Sequence, residues 1–119
     1  MNTLLGLGSF PGEHQLSLGM LGMHGTVYAN YAVNEADVVL ALGIRFDDRI
    51  AGVPKEFCKD ATIIHVDIDP AEIGKNKLID IPIVGDLKHV LNEINHELTP
   101  QTHESWLERI REWREEYPI

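Results

Sequence analysis

Residues 37–52 read DVVLALGIRFDDRIAG, an aliphatic run followed by a glycine and then by two arginines and two aspartates. Residues 38–42 are β-branched or aliphatic with no polar alternation, which is typical of a strand that is covered on both faces in a parallel α/β sheet. Ligands of such sheets bind in the crevice outside the carboxyl ends of the strands. The charged residues directly after this run are therefore the first candidates for a binding site, with Arg45 and Arg49 foremost.

The same charged residues also permit a purely structural interpretation. Asp47 and Asp48 lie between Arg45 and Arg49, so the four side chains would neutralise one another on an exposed loop. Exposed ion pairs are common and contribute only about 0–1 kcal/mol to stability. The spacing alone leaves both the ligand site and the ion-pair loop open.

Length and composition indicate a single globular module. The 119 residues, 13.4 kDa in mass, suffice for one core but are few for a complete two-substrate enzyme. The content of 44% hydrophobic and 24% charged residues is ordinary. No apolar run approaches the roughly 20 residues of a membrane span, and the N-terminus lacks the basic start and long apolar region of a secretory signal. We therefore expect a soluble domain with no membrane partner.

The net charge and the number of cysteines limit the possible ligands and the cellular compartment. A net charge of -9 and a pI near 5.0 argue against nucleic-acid binding, which depends on clustered Lys and Arg to neutralise phosphates. The single cysteine, Cys58, excludes an internal disulfide framework and is most simply a small buried hydrophobe. The sequence predicts a cytoplasmic setting, or an organelle after import.

Two glycine-rich stretches precede the quoted segment. Residues 3–7 are apolar and lead into GLGSFPG at 6–12, which we interpret as the tail of a strand followed by a turn, because it does not match GxGxxG and no helix begins directly after it. LGMLGMHG at 18–25 has a glycine at every third position, which indicates a loop shaped around a ligand. Residues 26–36 then read as a helix, whose N-terminus would present N–H groups and a positive dipole end to the same crevice.

Two further apolar runs, at 62–68 and 81–84, read as buried strands, and each is followed by an acidic residue. His65, Asp67 and Asp69 alternate, so they share one face of an extended strand, which permits a metal site. The alternative, which we favour, is that an acid at the carboxyl end of a parallel strand accepts hydrogen bonds from a ribose hydroxyl or an adenine edge.

The remaining residues are predicted to be helical. Asp86 is placed to N-cap an amphipathic helix that covers the sheet, and after Pro100 a second helix runs to Tyr117, with an apolar stripe that packs against this domain or a neighbour. The fold class is therefore a parallel α/β module with a nucleotide-type site at its strand ends. No Ser-His-Asp order, CxxC pair or HExxH motif marks a self-contained catalyst.

Taken together, four motifs resemble the catalytic (large) subunit of acetolactate synthase, also called acetohydroxyacid synthase. They are LGMLGMHG at 18–25, LGIRFDDRI at 42–50, HVDIDP at 65–70 and IPIVGD at 81–86. The resemblance implies the Rossmann-like middle domain of a thiamine-diphosphate-dependent enzyme that condenses two pyruvates, or pyruvate with 2-oxobutyrate, with loss of carbon dioxide in branched-chain amino acid biosynthesis. In that family the middle domain binds FAD, which has no redox role, and the flanking domains hold thiamine diphosphate and magnesium.

Matched position by position, three groups of residues resemble those that contact FAD in the family. The group at the flavin end is Thr3, Leu4, Leu21, Gly22, Met23 and His24. The group along the ribityl and pyrophosphate part, where arginine charge opposes phosphate charge, is Gly43, Ile44, Arg45, Asp47, Arg49 and Ile50. The group at the adenosine end is Asp67, Ile68, Asp86 and Leu87. The resemblance implies no catalytic residue and no metal ligand in this chain.

The resemblance also implies a fragment. Residues 1–100 correspond to part of the central FAD-binding domain, and residues 101–119 to a helix that leads to the linker of the missing thiamine-diphosphate domain. A strand with a glycine-rich turn, which complete members place before this region, would lie beside residues 3–7 and 38–42, so its loss exposes unpaired backbone and apolar surface. We expect the isolated chain to self-associate or to shift its first segment, and to bind FAD weakly or not at all. The expected partners are further copies of the chain, the flanking domains and a regulatory subunit.

Two other interpretations stay open. A standalone nucleotide-binding or regulatory module would have a complete strand set and would retain ligand affinity. Middle domains of other thiamine-dependent enzymes, such as pyruvate oxidase and glyoxylate carboligase, are similar, although RFDDR favours acetolactate synthase.

Overall fold

A computed structural model of the chain describes residues 1–47 and 57–119. In chain order these residues form α1 (Val27–Glu35), β1 (Val38–Leu42), β2 (Thr62–Asp67), β3 (Ile81–Val84), α2 (Leu87–Glu97) and α3 (Glu104–Glu116). The predicted strands at 38–42, 62–68 and 81–84 and the three predicted helices are confirmed, with ends that differ from the predicted ends by a few residues at most.

The strands form one parallel sheet in the order β1-β2-β3. The register pairs Leu42 of β1 with Val66 of β2, and Asp67 of β2 with Val84 of β3. All three strands therefore end side by side, and we call this side of the sheet the carboxyl edge. The parallel sheet flanked by helices confirms the predicted fold class.

The two faces of the sheet are covered unequally. Ala41 and Ile63 point to one face and join a core with residues of α1 and α3. On the other face α2 packs against β2, where Val66 is fully buried. Next to it on the same face, Leu40 of β1 is 42% exposed, and Val38 is 54% exposed. In the described part of the chain, β1 pairs only with β2, so its outer edge and one of its faces are uncovered.

Polar side chains cap the start of two helices, and of these caps Asp86 is the one that the sequence predicts. The Thr26 hydroxyl accepts the Ala29 N–H at 3.1 Å at the start of α1, and the Asp86 carboxylate accepts the His89 N–H at 3.2 Å at the start of α2. Such side-chain caps satisfy N–H groups that have no partner within the helix.

Helix α3 packs on α1 through the stripe predicted from its spacing. Ile110 and Trp113 are buried in the core, and the Trp113 ring meets Tyr31 edge-to-face at 5.8 Å. Arg109 pairs with Glu35 at 2.9 Å and lies over the Trp113 ring. The predicted stripe thus packs against this domain.

The strand predicted at residues 3–7 is wrong. These residues form successive turns, in which the Gly6 N–H donates to the Thr3 carbonyl at 3.1 Å and the Leu7 N–H to the Leu4 carbonyl at 3.4 Å. Only a single parallel bridge joins Asn2 to Met20. An isolated extended segment has no partner for its backbone, whereas local turns satisfy the same groups, and the cost is that Leu5 is 96% exposed.

In the part of the chain that the structure describes, none of the helices combines the length and apolar content that crossing a membrane requires.

Candidate functional site

The carboxyl edge is held together by backbone hydrogen bonds that continue past the strands. The Gly43 N–H donates to the Val66 carbonyl at 2.8 Å, and the Gly85 N–H donates to the Asp67 carbonyl at 3.0 Å. Residues 43–47, 67–69 and 85–87 therefore emerge next to one another. This arrangement gathers most of the described members of the pyrophosphate and adenosine groups on one edge of the sheet.

The segment after β1 alternates between the core and solvent. Phe46 is 4% exposed, and its ring contacts the His65 ring edge-to-face at 5.3 Å between centroids. Ile44 packs against the core as well. Between these two anchors the Arg45 side chain is 66% exposed. The apolar neighbours thus fix the backbone while the guanidinium stays exposed to solvent at the carboxyl edge.

The alternative of an ion-pair loop is realised in part. Arg45 lies 3.4 Å from Asp47, a long and largely exposed contact of the kind that contributes little to stability. The other carboxylate oxygen of Asp47, Oδ1, is buried and has no hydrogen-bond partner within residues 1–47 and 57–119. Asp48, Arg49 and Ile50 lie outside the described residues, so their predicted roles stay predictions.

The acidic residues of the adenosine group are engaged locally. Asp67 Oδ1 accepts the Asp69 N–H at 2.9 Å, and the Asp67 side chain is 13% exposed. Asp86 is the N-cap of α2 described above and remains exposed. Each carboxylate keeps acceptor capacity for a hydroxyl or an amine, because an ionised carboxylate accepts up to about four hydrogen bonds. Ile68, between the acids, is 70% exposed and offers an apolar surface at the same edge.

The glycine-rich loop at 18–25 leads into α1. Because α1 ends just before β1 begins, the helix runs back against the strand and its N-terminus faces the carboxyl side of the sheet. The bridge between Asn2 and Met20 brings Thr3 and Leu4 beside this loop. Leu21 is buried, whereas Met23 is 72% exposed and His24 is exposed. The flavin-end group is thus brought together, with the Leu21 side chain in the core and only its backbone open to a ligand.

Asn30 fixes the loop and escaped the sequence analysis. Its side chain accepts the Gly22 N–H at 2.8 Å and donates to the Gly22 carbonyl at 2.9 Å. The sequence does not predict this contact, because Asn30 lies within a helix and its partner Gly22, eight residues earlier, is not at a helical or strand spacing from it. Gly25 is equally constrained, since a Cβ there would lie 2.4 Å from the Met20 carbonyl oxygen.

The loop is also held from the far end of the chain. Arg114 of α3 donates to the carbonyl oxygens of Ser17 and Gln15 and lies over the Tyr28 ring at 5.3 Å. Arg114 was not among the residues predicted for the site. Ser17 and Arg114 are 97 residues apart, and no local sequence pattern predicts a contact over that separation.

The metal interpretation of His65, Asp67 and Asp69 gains no geometric support. His65 Nε2 and Asp67 Oδ2 do share a face at 3.8 Å. Asp69 turns away, however, and its carboxylate accepts the Ala71 N–H. In residues 1–47 and 57–119 no three His, Cys, Asp or Glu side chains are grouped so that they would hold a metal ion.

The described residues of the carboxyl edge fit a phosphate-bearing dinucleotide. An exposed guanidinium, the N-termini of two helices and two carboxylates supply donors for phosphate and acceptors for ribose. Gly43 has φ 63° and open space around its missing Cβ, so a ligand has close access to the backbone there.

A cavity of about 340 Å³ lies at the opposite end of the sheet, at the amino ends of β2 and β3, between Cys58, Ile63, Lys77 and Asp80. It does not include the charged residues of the carboxyl edge.

Comparison with known proteins gives a consistent family. The sequence profile described as "Thiamine pyrophosphate enzyme, central domain" matches residues 1–94. The chain is 51% identical over 98% of its length to an acetolactate synthase large subunit of Cyanidium caldarium, and covers 21% of that protein. It is 57% identical over 92% of its length to a probable acetolactate synthase large subunit of Methanocaldococcus jannaschii, of which it covers 19%. It is 51% identical over 98% of its length to the chloroplastic acetolactate synthase 1 of Zea mays, of which it also covers 19%. The chain thus spans about a fifth of the length of these relatives.

Proposed function

Because this chain belongs to the family of thiamine pyrophosphate enzyme central domains, we propose that it is the middle domain of an acetolactate synthase. The parent enzyme condenses two pyruvates, or pyruvate with 2-oxobutyrate, releases carbon dioxide, and serves branched-chain amino acid biosynthesis. This segment contributes part of the FAD site and of the subunit scaffold. Identities of 51% and 57% to proteins named acetolactate synthase support this assignment.

The observation that carries the FAD proposal is the convergence of Arg45, Asp67 and Asp86 at the carboxyl edge. Arg45 opposes the negative charge of the pyrophosphate, and the N-terminus of α2 adds N–H groups and a positive dipole end. Asp67 and Asp86 accept hydrogen bonds from the adenosine part. In a chain of net charge -9, an exposed arginine at this edge is a specific feature.

The chemistry of the parent comes from outside this chain. Thiamine diphosphate, which would supply the electron sink for decarboxylation and condensation of the oxoacids, and its magnesium ion belong to the flanking domains. Residues 101–119 contain the helix that leads toward one of these domains. Some relatives are named large subunits, and we infer that the parent is a homo-oligomer that also takes a regulatory subunit, in the cytoplasm or in an organelle.

A chimaera tests the proposal. The matched segment of the Cyanidium caldarium large subunit is replaced by this chain, and bound FAD and acetolactate formation are measured in the purified protein. We expect a chimaera that retains FAD and forms acetolactate, with FAD affinity lowered by Arg45→Gln and by Asp67→Asn. A chimaera that folds and binds thiamine diphosphate but takes up no FAD would refute the FAD assignment.

The isolated chain supplies a second measurement. We expect its affinity for FAD, followed by quenching of flavin fluorescence, to be micromolar or weaker, because the flavin-end residues 3–7 form turns with exposed side chains in place of a paired strand. Submicromolar affinity of the isolated chain would instead favour a standalone nucleotide-binding module.

A further inference from the structure

His65 is a fully buried histidine in the middle of the sheet. Its side chain is 0% exposed, and neither Nδ1 nor Nε2 has a hydrogen-bond partner in the part of the chain that the structure describes. Burying a polar group without a partner is unfavourable, whereas an aliphatic side chain at the same position carries no such cost. Ile63, on the same face of β2, shows that the face accepts one. The imidazole therefore calls for an explanation other than packing.

Among the described residues, the acceptor that lies beside the imidazole is the Asp67 carboxylate. His65 Nε2 lies 3.8 Å from Asp67 Oδ2, which is too long for a hydrogen bond but becomes one after a small rotation of either side chain. On its other side the imidazole is held by the edge-to-face contact with Phe46. The ring thus lies between the segment that carries Arg45 and the acid at the end of β2.

Asp67 has two carboxylate oxygens with different surroundings. Oδ1 accepts the Asp69 N–H at 2.9 Å and is fixed by the turn after β2. Oδ2 has only the imidazole near it among the contacts of the described residues. A donor at Nε2 would fix this second oxygen and with it the rotation of the whole carboxylate.

We propose that His65 is a positioning residue, which donates an Nε2–H hydrogen bond to Asp67 Oδ2 and thereby orients the Asp67 carboxylate toward the adenosine end of a bound dinucleotide. This inference rests on the proposed FAD site, because it explains how one of its acids is held. The proposal assigns His65 no contact with the ligand itself. Its effect on binding acts through Asp67.

The first test needs no ligand. The isolated chain is labelled with ¹⁵N, and long-range ¹H–¹⁵N spectra of the imidazoles identify which ring nitrogen of His65 carries the proton. The His65 signals are assigned by their loss in His65→Gln. We expect the proton on Nε2 and a displaced Nε2 resonance in Asp67→Asn. A proton on Nδ1, or an Nε2 resonance that is identical in Asp67→Asn, would overturn the pairing.

The second test separates positioning from packing. His65→Phe keeps the aromatic contact with Phe46 but removes the donor, whereas His65→Gln keeps a donor. In the chimaera, we expect His65→Phe to bind FAD about tenfold more weakly and His65→Gln to stay within about threefold of the unmodified protein, since a hydrogen bond to a charged group has roughly this effect. We also expect the isolated His65→Phe chain to be at least as resistant to denaturant as the unmodified chain, because it loses Nδ1, a buried atom with no hydrogen-bond partner among the described residues.

The outcomes distinguish the two proposals. If no chimaera binds FAD while the imidazole spectra are as expected, the FAD assignment fails and the His65–Asp67 pairing stands. If FAD binds equally well to the unmodified, His65→Phe and His65→Gln chimaeras, the positioning role is refuted and the FAD assignment stands. Equal losses of FAD affinity and stability in both variants would assign His65 to packing alone.

Discussion

The N–H of Gly43 donates a 2.8 Å hydrogen bond to the carbonyl oxygen of Val66. This bond extends the pairing of β1 and β2 by one residue beyond the end of β1, while the chain turns at Gly43 with φ 63°. Glycine adopts that conformation freely, whereas other L-residues do so at a cost. The direction in which Arg45 leaves the sheet is therefore set by a glycine two residues earlier.

Gly43→Ala is expected to lower the free energy of unfolding by about 1–2 kcal/mol, because alanine is strained at positive φ, although open space surrounds its added Cβ. Urea denaturation measures this effect. Gly74→Ala is the matched control, since Gly74 has φ 74° and equally open surroundings but lies away from the carboxyl edge. Both variants should lose similar stability, and only Gly43→Ala should weaken FAD binding by the chimaera. Equal FAD affinities would argue against a role of this turn in the site.

Gly25→Ala is expected to be more damaging than Gly43→Ala. Its Cβ would lie 2.4–2.6 Å from backbone atoms of Met20 and Leu21, and backbone cannot move aside as a side chain can. We expect a loss of about 2–4 kcal/mol, in the range of severe packing defects. Gly12→Ala, with nothing within 4 Å of its Cβ, serves as control and should change stability by less than about 0.5 kcal/mol. A Gly25→Ala chain as stable as the control would show that the loop is not packed as described.

Arg114→Met is expected to lower stability by about 1–2 kcal/mol. The methionine keeps an apolar stem beside Tyr28 but loses the hydrogen bonds to the carbonyls of Gln15 and Ser17. Arg111→Met is the matched control on the same helix, because Arg111 pairs with Glu108 at the surface, an interaction worth at most about 1 kcal/mol. Hydrogen exchange should accelerate in residues 15–25 of Arg114→Met and not of Arg111→Met; uniform exchange in both variants would speak against this contact.

Leu40→Lys is expected to reduce self-association of the isolated chain. Leu40 lies on the uncovered face of β1, whose outer edge has no partner strand in the described residues, and exposed apolar edges promote pairing between chains. Sedimentation velocity over a range of concentrations follows the assembly. Leu98→Lys changes an equally apolar residue, 66% exposed at the end of α2, and should leave assembly unchanged. A monodisperse monomer of the unmodified chain would contradict the expectation.

Cys58 is expected to resist alkylation. Burial raises the pKa of its thiol from 9.0 to about 11, an effect that Lys77 partly offsets. At pH 8 the thiolate fraction is therefore roughly 100-fold below that of an ordinary thiol, and iodoacetamide should modify the native chain at least that much more slowly than the urea-unfolded chain. Mass spectrometry measures both rates, and rapid modification of the native chain would exclude a buried thiol.

The raised pKa of the Cys58 thiol also determines the direction in which stability changes with pH. Since the folded-state pKa is raised, Cys58 contributes stability that is complete below pH 9 and is lost as pH rises through about 11. The difference in stability between the unmodified chain and Cys58→Ala should therefore shrink from pH 9 to pH 11. A constant difference would contradict the raised pKa.

Local sequence patterns correctly predicted the elements that depend on residues close to one another in the sequence. The aliphatic run at 38–42 and the Asp86 cap each carry their signal within a few residues, and each lies where it was expected. The strand at 3–7 was wrong because an apolar segment becomes a strand only when another strand pairs with it, and that requirement is not visible in the segment.

The candidate site likewise contains residues that local patterns predict and residues that depend on distant contacts. Arg45, Asp67 and Asp86 were proposed because they lie at or just after the carboxyl ends of buried strands, and parallel strands bring such residues to one edge. Asn30 and Arg114 were not predicted. The partner of Asn30 is 8 residues away and those of Arg114 are up to 99 residues away, and neither separation produces a periodic sequence pattern. Phe46, in the segment after β1, contacts His65 of β2, and this contact depends on the path of the chain beyond the strand, which the sequence does not specify.

The tie between Arg114 and Ser17 bears on the order of events during synthesis. Since 97 residues separate the two, the loop at 18–25 stays without its clamp until nearly all of this segment has left the ribosome, about 5–20 s at ordinary translation rates. Throughout that interval the glycine-rich loop lacks this contact and is open to chaperones and proteases.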